Sequence, residues 1–157
     1  GWTTDGRTEV TGFLPVRGVA ASDFSSIHHV GLLAEPSIMY RRQLPGDLRT
    51  SLNAQFVVSI ADEGVMDYWY QVDPQYATPA RPAYDGKGGY LSSAIRLWWT
   101  HEFSKDFELY LTYHGRYFGG SANDKSPLLE EKFTHAVSVS FVWKMLKSKA
   151  RAKNGDM

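Results

Sequence analysis

The sequence predicts an all-β protein, an antiparallel up-and-down transmembrane β-barrel, and three runs of alternating residues carry this prediction. From residue 48 to residue 60 almost every second residue is apolar, while its neighbours are suited to water. The same period of two returns from 107 to 117 and from 133 to 143. Each run has about the length that a tilted strand needs to cross a bilayer.

Composition excludes several other classes of protein. The 17 basic and 17 acidic side chains of this 157-residue chain cancel, so no overall field favours nucleic acid. The apolar runs are far below the roughly 20 residues of a membrane-spanning helix. Cysteine is absent, which removes thiolate catalysis and thiolate metal sites. An aromatic content of 14% is typical of rings placed between hydrocarbon and water.

Six strands are predicted, and the connections between them alternate in length. The strands are 8–21, 29–44, 48–62, 88–103, 106–119 and 132–146. Tight turns are expected at 45–47 and 104–106, whereas the links near 22–28, 63–87 and 119–131 are longer, and no stretch has a sustained helical period. Outer-membrane barrels have short periplasmic turns and long outer loops, so the three long links are predicted to lie outside the cell.

The period of two assigns a face to each strand. In the third strand the lipid-facing set is Leu48, Leu52, Ala54, Phe56, Val58 and Ile60, and the lumen-facing set is Arg49, Ser51, Asn53, Gln55 and Ser59. The fourth strand fits less cleanly, because Trp98 falls on the polar face and His101 on the apolar one. Pro36 lacks an N–H, which predicts a bulge or a local edge in the second strand.

Ionisable side chains follow the polar face. The residues predicted to face the lumen are Arg17, Glu35, Arg49, Arg96, Glu108, His114 and Arg116. A charge facing lipid at mid-membrane costs about 2 to 4 kcal/mol, so this placement favours the barrel. Because both signs occur, we expect a lumen crossed by ion pairs and hydrogen bonds rather than a strongly selective pore.

Six strands are fewer than the eight or more of single-chain bacterial barrels. We therefore expect residues 1–146 to form the C-terminal strands of a larger barrel, and strands preceding Gly1 to complete it. A partner chain or a different division of the strands are the alternatives. No signal segment opens the chain, which indicates a mature form or a fragment. The basic tail 147–157 is expected to be disordered.

Two loop segments resemble a known family. The first runs through Tyr-Trp-Tyr-Gln-Val-Asp-Pro at 68–74, Ala77, Arg-Pro-Ala-Tyr-Asp at 81–85 and Gly-Gly-Tyr-Leu at 88–91. The second is Gly-Ser-Ala-Asn-Asp-Lys-Ser-Pro-Leu at 120–128. Together they resemble the MltA-interacting protein (MipA/OmpV) family of Gram-negative outer-membrane proteins, with similarity from about 13 to 143.

The resemblance implies a location and a set of partners. Family members are barrels of the Gram-negative outer membrane, and in one branch a member is a scaffold that links a lytic transglycosylase to a penicillin-binding protein during murein growth. Other members are described as porin-like or as surface adhesins. The chain departs from the family pattern by lacking the N-terminal strands and by continuing for about a dozen residues beyond the last strand.

The sequence offers only weak candidates for catalytic residues. His114 with Ser138 or Ser140, and Glu108 or Glu102, could suggest a hydrolase, but no motif fixes their geometry. The sequence therefore predicts no enzyme.

No metal or cofactor is predicted either. His28, His29 and Asp23 could suggest a metal site, but adjacent residues on an extended strand point in opposite directions. The glycines at 86–89 lack the spacing of a phosphate-binding loop.

The loop 63–87 is the best candidate for an interaction surface. Its candidate residues are Tyr68, Trp69, Tyr70, Tyr76, Arg81 and Tyr84, and Tyr, Trp and Arg are enriched at interface hot spots. The first three could instead belong to an outer aromatic girdle in contact with lipid headgroups. Three functions follow as hypotheses: a scaffold for murein enzymes, a narrow porin or adhesin, and a soluble β-barrel or sandwich with its apolar face inward.

Overall fold

Nine antiparallel strands form one sheet in the computed structural model, which describes residues 2–3 and 6–145. They are β1 (Trp2–Thr3), β2 (Thr8–Phe13), β3 (Val16–Ser22), β4 (Ile27–Ala34), β5 (Ser37–Leu44), β6 (Asp47–Ala61), β7 (Gly89–Ser104), β8 (Phe107–Tyr117) and β9 (Phe133–Trp143). A helix, α1 (Glu63–Tyr70), and a 3-10 turn (Pro74–Tyr76) lie between β6 and β7. The predicted tail 147–157 lies outside the described residues.

Two of the six predicted strands are interrupted next to a proline, which was expected at Pro36 but not at Pro15. The first predicted strand is divided into β2 and β3 next to Pro15, and the second into β4 and β5 next to Pro36. The register does not change across the gap, because Phe13 pairs with Ser37 and Val16 with Ala34. Proline has no N–H to donate to a ladder, so the pairing is interrupted locally while the hairpin continues.

The sheet order confirms the up-and-down topology. The strands follow one another as β1-β2-β5-β6-β7-β8-β9, while β3 pairs with β4 and β4 pairs with the end of β6. β2 and β3 together form one long interrupted strand, and β4 and β5 form the next. Strands that follow one another in sequence are therefore also adjacent in the sheet. The described sheet is all-β and antiparallel, consistent with an up-and-down barrel, and it does not close on itself.

The exposure of the two faces of the sheet is the reverse of that in a water-soluble protein. On β6 the apolar side chains of Leu52 and Phe56 are 44% and 52% exposed, whereas Asn53 and Ser59 on the other face are 7% and 1% exposed. Core packing normally buries the apolar set and leaves the polar set wet. On this strand the polar face is the buried one and the apolar face is the exposed one.

Helix α1 corrects the expectation that the chain has no helix. It begins at the N-cap Asp62, whose carboxylate accepts a hydrogen bond from the Val65 N–H at 3.1 Å. Asp at the N-cap and Glu63 in the first turn both stabilise a helix start. Eight residues are too few to give a clear period, which is why the hydrophobic pattern did not predict this helix.

The described helices contain none that is long and apolar enough to cross a membrane.

Candidate functional site

The polar face of the sheet carries all seven residues predicted to face the lumen. Residues that pair across neighbouring strands lie on one face, and the register joins Gln55, Arg96 and His114 in one row and Ala94 and Arg116 in the next. Glu102 pairs with Glu108 nearer to the short turns. Three further contacts place the remaining residues on the same face. Arg17 pairs with Leu33, Glu35 accepts a hydrogen bond from Ser59, and Arg49 lines one groove together with Glu108.

Glu35 is the centre of one polar network. The Arg17 guanidinium forms an ion pair with its carboxylate, and the Ser59 hydroxyl donates to Glu35 Oε1 at 3.1 Å. The side chain of Glu35 is only 14% exposed, whereas that of Arg17 is 60% exposed. The carboxylate is thus shielded from water and has both a cation and a hydroxyl as partners, as a buried charge requires.

Glu108 is the centre of a second network near the short turns. Lys144 Nζ lies 2.7 Å from Glu108 Oε1, and the Tyr110 hydroxyl donates to Glu108 Oε2 at 2.6 Å. Between the two networks Gln55 accepts from Arg96 at 3.5 Å and donates to Ser37 at 3.2 Å. The face therefore carries a chain of paired polar groups with both signs of charge.

A polar groove of about 320 Å³ lies at the short-turn end of this face. Among its lining residues are Arg41, Arg49, Asn53, Glu102 and Glu108. Its two cations lie on β5 and β6 and its two carboxylates on β7 and β8, so the groove as a whole has no excess of one sign of charge. Such a lining favours water and small polar solutes without selecting an anion or a cation.

The opposite end of the polar face is covered by α1. The helix residues Val65 and Met66 are fully buried, and they form one apolar cluster with Leu33 and Ala61. Leu33 and Ala61 pair with each other two residues beyond Glu35 and Ser59, so they belong to the polar face. The helix therefore packs across the end of the face that carries the ionic networks.

The long connections on either side of β7 and β8 form one compact assembly, which we call the cap: residues 62–88 and 118–132. The buried Asn123 side chain accepts a hydrogen bond from the Lys87 N–H at 2.9 Å and donates one to the Lys87 carbonyl at 2.8 Å. The Ser126 hydroxyl donates to the Tyr70 carbonyl at 2.9 Å. These three bonds join the end of α1 and the loop after it to the loop after β8.

Asp62 holds the cap to the sheet. Its carboxylate accepts hydrogen bonds from Val65, at the start of α1, and from the Leu32 N–H of β4 at 2.8 Å. Its backbone N–H donates to the Leu32 carbonyl at 3.1 Å. One side chain thus fixes both the start of the helix and its position on β4.

The cap depends on glycine where backbones meet. A Cβ at Gly64 would lie 2.2 Å from the Val30 carbonyl oxygen, and one at Gly88 would lie 2.8 Å from the Glu63 nitrogen. Neither space admits a methyl group. The glycines at 86 and 88 therefore permit close approach of the loop to α1.

The structure separates the six residues of the predicted interaction loop. Tyr68 and Tyr76 are each 62% exposed and Trp69 is 38% exposed, whereas Tyr70 is only 9% exposed and lies in the apolar cluster. Burial raises the pKa of the Tyr70 phenol, and the nearby Arg116 charge opposes part of that shift.

Tyr84 and Arg81 have different surroundings. Tyr84 packs partly buried against the apolar cluster, and burial together with the Asp124 and Asp85 charges raises its pKa. Arg81 is exposed and donates a hydrogen bond to the Tyr76 carbonyl at 3.2 Å. Arg81 and Tyr76 line an open groove of about 520 Å³ on the cap, and Tyr84 does not.

The candidate catalytic residues do not converge into a triad. His114 pairs with Ala136, while Ser138 pairs with Thr112 and Ser140 with Tyr110. Both serines lie on the polar face with His114. Glu108, however, is bound by Lys144 and Tyr110, and Glu102 pairs with Glu108, six residues along the strand from the level of His114. The described residues also hold no group of three His, Cys, Asp or Glu side chains placed to bind a metal ion.

Aromatic rings line the apolar face near the short turns. Trp99 stacks on His101 with centroids 5.6 Å apart, and the series continues through Phe103, Phe107 and Phe141 at spacings of 4.5 to 6.1 Å. The His101 ring also forms a 2.7 Å hydrogen bond with the Thr50 hydroxyl. At the other end of the strands Phe133 stacks on His135, beside the exposed Tyr117.

The residues that join the cap were not predicted as functional. Asp62 carries a signal in the sequence, because Asp followed by Glu at a helix start is a capping pattern. Asn123 and Ser126 carry none, since a polar residue in a loop has no period and its partner lies far along the chain.

Comparison with known proteins identifies a family. A family model described as MltA-interacting protein MipA matches residues 1–145 of the chain. No curated protein and no solved structure matches it.

Proposed function

Because the chain belongs to the MltA-interacting protein MipA family, we propose that it forms an outer-membrane β-barrel that acts as a scaffold for cell-wall enzymes. The partners are a lytic transglycosylase of the MltA type and a penicillin-binding protein. The observation that carries the membrane part of this proposal is the exposure of apolar side chains on one face of the sheet, while polar side chains such as Asn53 and Ser59 on the other face are buried. An antiparallel sheet with this distribution is stable when lipid covers the outward face.

The length of the strands supports a membrane-spanning arrangement. Strand β8 has 11 residues and begins and ends with an aromatic ring, Phe107 and Tyr117. At about 3.4 Å per residue, ten steps span roughly 34 Å, and a tilt of about 45° reduces the height to about 24 Å. Outer-membrane barrels have an apolar band about 25 Å tall with aromatic girdles at both borders.

The cap favours the scaffold hypothesis more than the porin hypothesis. It covers the polar face at one end with the fully buried Val65 and Met66, and it is joined to itself through Asn123 and Ser126. The polar face below it is crossed by paired charges rather than by one sign of charge. A channel that transports solutes needs a continuous wet path, which a packed apolar cluster interrupts.

The arrangement of polar residues gives no support to an enzyme. His114 and the two serines of β9 share a face, but neither candidate acid lies beside the imidazole: Glu108 is six residues from His114 along β8, and Glu102 pairs with Glu108. We therefore propose a protein that binds partners and catalyses no reaction itself.

A soluble β-barrel or sandwich is disfavoured by the exposed apolar face. On β9 Val137, Val139 and Phe141 are 67%, 67% and 68% exposed. A soluble protein rarely leaves a contiguous apolar surface of this kind uncovered.

The first experiment is membrane fractionation of the full-length native protein, followed by gel mobility with and without boiling. Recovery in the outer membrane with a mobility shift on boiling is the expected result. A soluble protein with no shift would contradict the membrane assignment.

The second experiment tests the scaffold. Immobilised native protein in detergent is expected to retain a purified MltA-type transglycosylase. A variant in which the four cations Lys147, Lys149, Arg151 and Lys153 are replaced by Gln tests whether the tail takes part in this binding.

Conductance in planar bilayers tests the narrow pore. Steady solute-dependent conductance together with no retention of the enzyme would replace the scaffold with the porin.

A further inference from the structure

We propose that Arg42 and the apolar groove beside it bind one phospholipid of the bilayer, the guanidinium holding the phosphate and the groove holding an acyl chain. This inference rests on the proposed membrane location, since a bilayer lipid reaches the outward face only in a membrane protein. The function proposed above assigns no ligand to that face.

Arg42 is a cation on the apolar face of the sheet. It pairs with Leu52 in the register of β5 and β6, and its neighbour Tyr40 pairs with Ala54, so all of these lie on the apolar face. The adjacent Arg41 pairs with Asn53 and lies on the polar face. Arg42 is exposed, and the structure over residues 2–3 and 6–145 gives it no ion pair or hydrogen-bonded side chain.

The level of Arg42 matches the headgroup region. It lies two residues before the end of β5 at Leu44, which the tight turn at 45–46 follows. Two residues of strand are about 7 Å along the chain and roughly 5 Å in height at a tilt of about 45°. An arginine at this depth extends its stem along apolar surface and its guanidinium toward the phosphates.

The groove begins next to Arg42. It has a volume of about 520 Å³, and Leu52, the cross-strand partner of Arg42, is one of its walls. The other main walls are apolar or aromatic: Tyr40, Ala54, Leu97, Trp99, Leu111 and Val137. An apolar groove with an exposed cation beside one of its walls is complementary to an acyl chain attached to a phosphate.

The chemistry of both ends agrees with a phospholipid. A guanidinium offers a planar pair of N–H donors that matches two phosphate oxygens, and it cannot lose its charge at any membrane pH. Trp99, held by stacking on His101 at 5.6 Å, makes one wall of the groove rigid. A fixed groove orders a chain at less entropic cost than a surface of mobile side chains.

The test uses the full-length native protein in vesicles that contain phosphatidylglycerol with a photoreactive diazirine in its acyl chain. Illumination is expected to attach lipid to peptides of β7 and β8 that line the groove. Arg42→Gln is expected to lower the yield about tenfold, since a charge-assisted pair is lost. Arg41→Gln is the matched control, because it removes the same charge from the opposite face, and it is expected to leave the yield unchanged.

Two further arms separate the possible sources of phosphate and the possible failures. An excess of glycerol phosphate is expected not to compete, and competition would show that the anion alone is bound. Leu52→Trp, which fills the groove, is expected to lower the yield with Arg42 intact. An unchanged yield in Arg42→Gln protein that still shifts on boiling would overturn the lipid site alone, whereas recovery outside the membrane would overturn both proposals.

Discussion

Asn123 and Lys87 lie 36 residues apart in the chain, and two hydrogen bonds of 2.9 and 2.8 Å join the Asn123 side chain to the Lys87 backbone. The amide side chain acts here as one more step of a β-ladder, since it accepts from the N–H and donates to the carbonyl of the same residue. Asn123 is fully buried, so water cannot replace either bond.

Replacement of Asn123 by Ala is expected to loosen the cap. Both backbone groups of Lys87 would lose their partner, and because these bonds are only partly buried the expected cost is about 1 kcal/mol of local stability. Hydrogen exchange of the Lys87 amide is the measurement, and faster exchange is expected while the strands keep their protection. Lys125→Ala, at an exposed position of the same loop, serves as the control. Equal protection in the two variants would contradict the role of Asn123.

Gly64→Ala is expected to displace α1 from the sheet. The added methyl group would lie 2.2 Å from the Val30 carbonyl oxygen, and overpacking of this kind costs about 1 to 3 kcal/mol. Limited proteolysis between residues 62 and 88 is expected to accelerate. Gly12→Ala, where nothing lies within 4 Å of the new methyl group, is expected to behave like the wild type. A resistant Gly64→Ala protein would mean that α1 can shift without losing its packing.

Arg17 and Glu35 are expected to be coupled energetically. A double-mutant cycle with Arg17→Gln and Glu35→Gln is expected to give about 0.5 to 1 kcal/mol, because Arg17 is 60% exposed and solvent screens the pair. Glu35→Gln alone is expected to cost less than Glu35→Ala, because the amide can still accept from Ser59. Additive effects in denaturant titrations would show that the ion pair contributes nothing.

The two faces of β9 are expected to respond differently to a new charge. Val139→Arg puts a cation on the apolar face one residue from the middle of β9 and is expected to cost about 2 to 4 kcal/mol. Ser138→Arg puts the same charge on the polar face one residue away and is expected to cost far less. Unfolding of the full-length protein in vesicles measures both. A larger penalty at Ser138 would reverse the assignment of the faces.

Asp23 is expected to titrate at an unusually low pH. Hydrogen bonds from the Ser26 N–H and from Ser25 lower its pKa from 3.8 to about 2. Since the folded pKa is lower than the unfolded one, the stabilisation of this turn is complete above pH 3.8 and is lost as the pH falls through about 2. Carbon NMR of the carboxyl group in micelles measures this titration. A midpoint near 3.8 would indicate that the turn does not persist in solution.

The sequence alone determined the strands, the two faces and the family. The period of two is a local property, so the polar position of Glu108 and Arg116 and the apolar position of Leu111 could be read from the order of residues. The tight turns at 45–46 and 105–106 lie where Gly, Pro and Asp predict them. The interruptions were only half anticipated, since Pro36 was expected to disturb its strand and Pro15 was not.

Only the tertiary structure decided what covers the end of the polar face. Tyr70 resembles the exposed Tyr68 in sequence, yet it is buried because α1 turns it toward Leu33 and because Ser126, 56 residues later, binds its carbonyl. Arg42 likewise differs from Arg41 only by register, which puts one guanidinium beside the outward groove and the other on the polar face. Contacts between distant segments leave no local pattern, and folding alone brings them together.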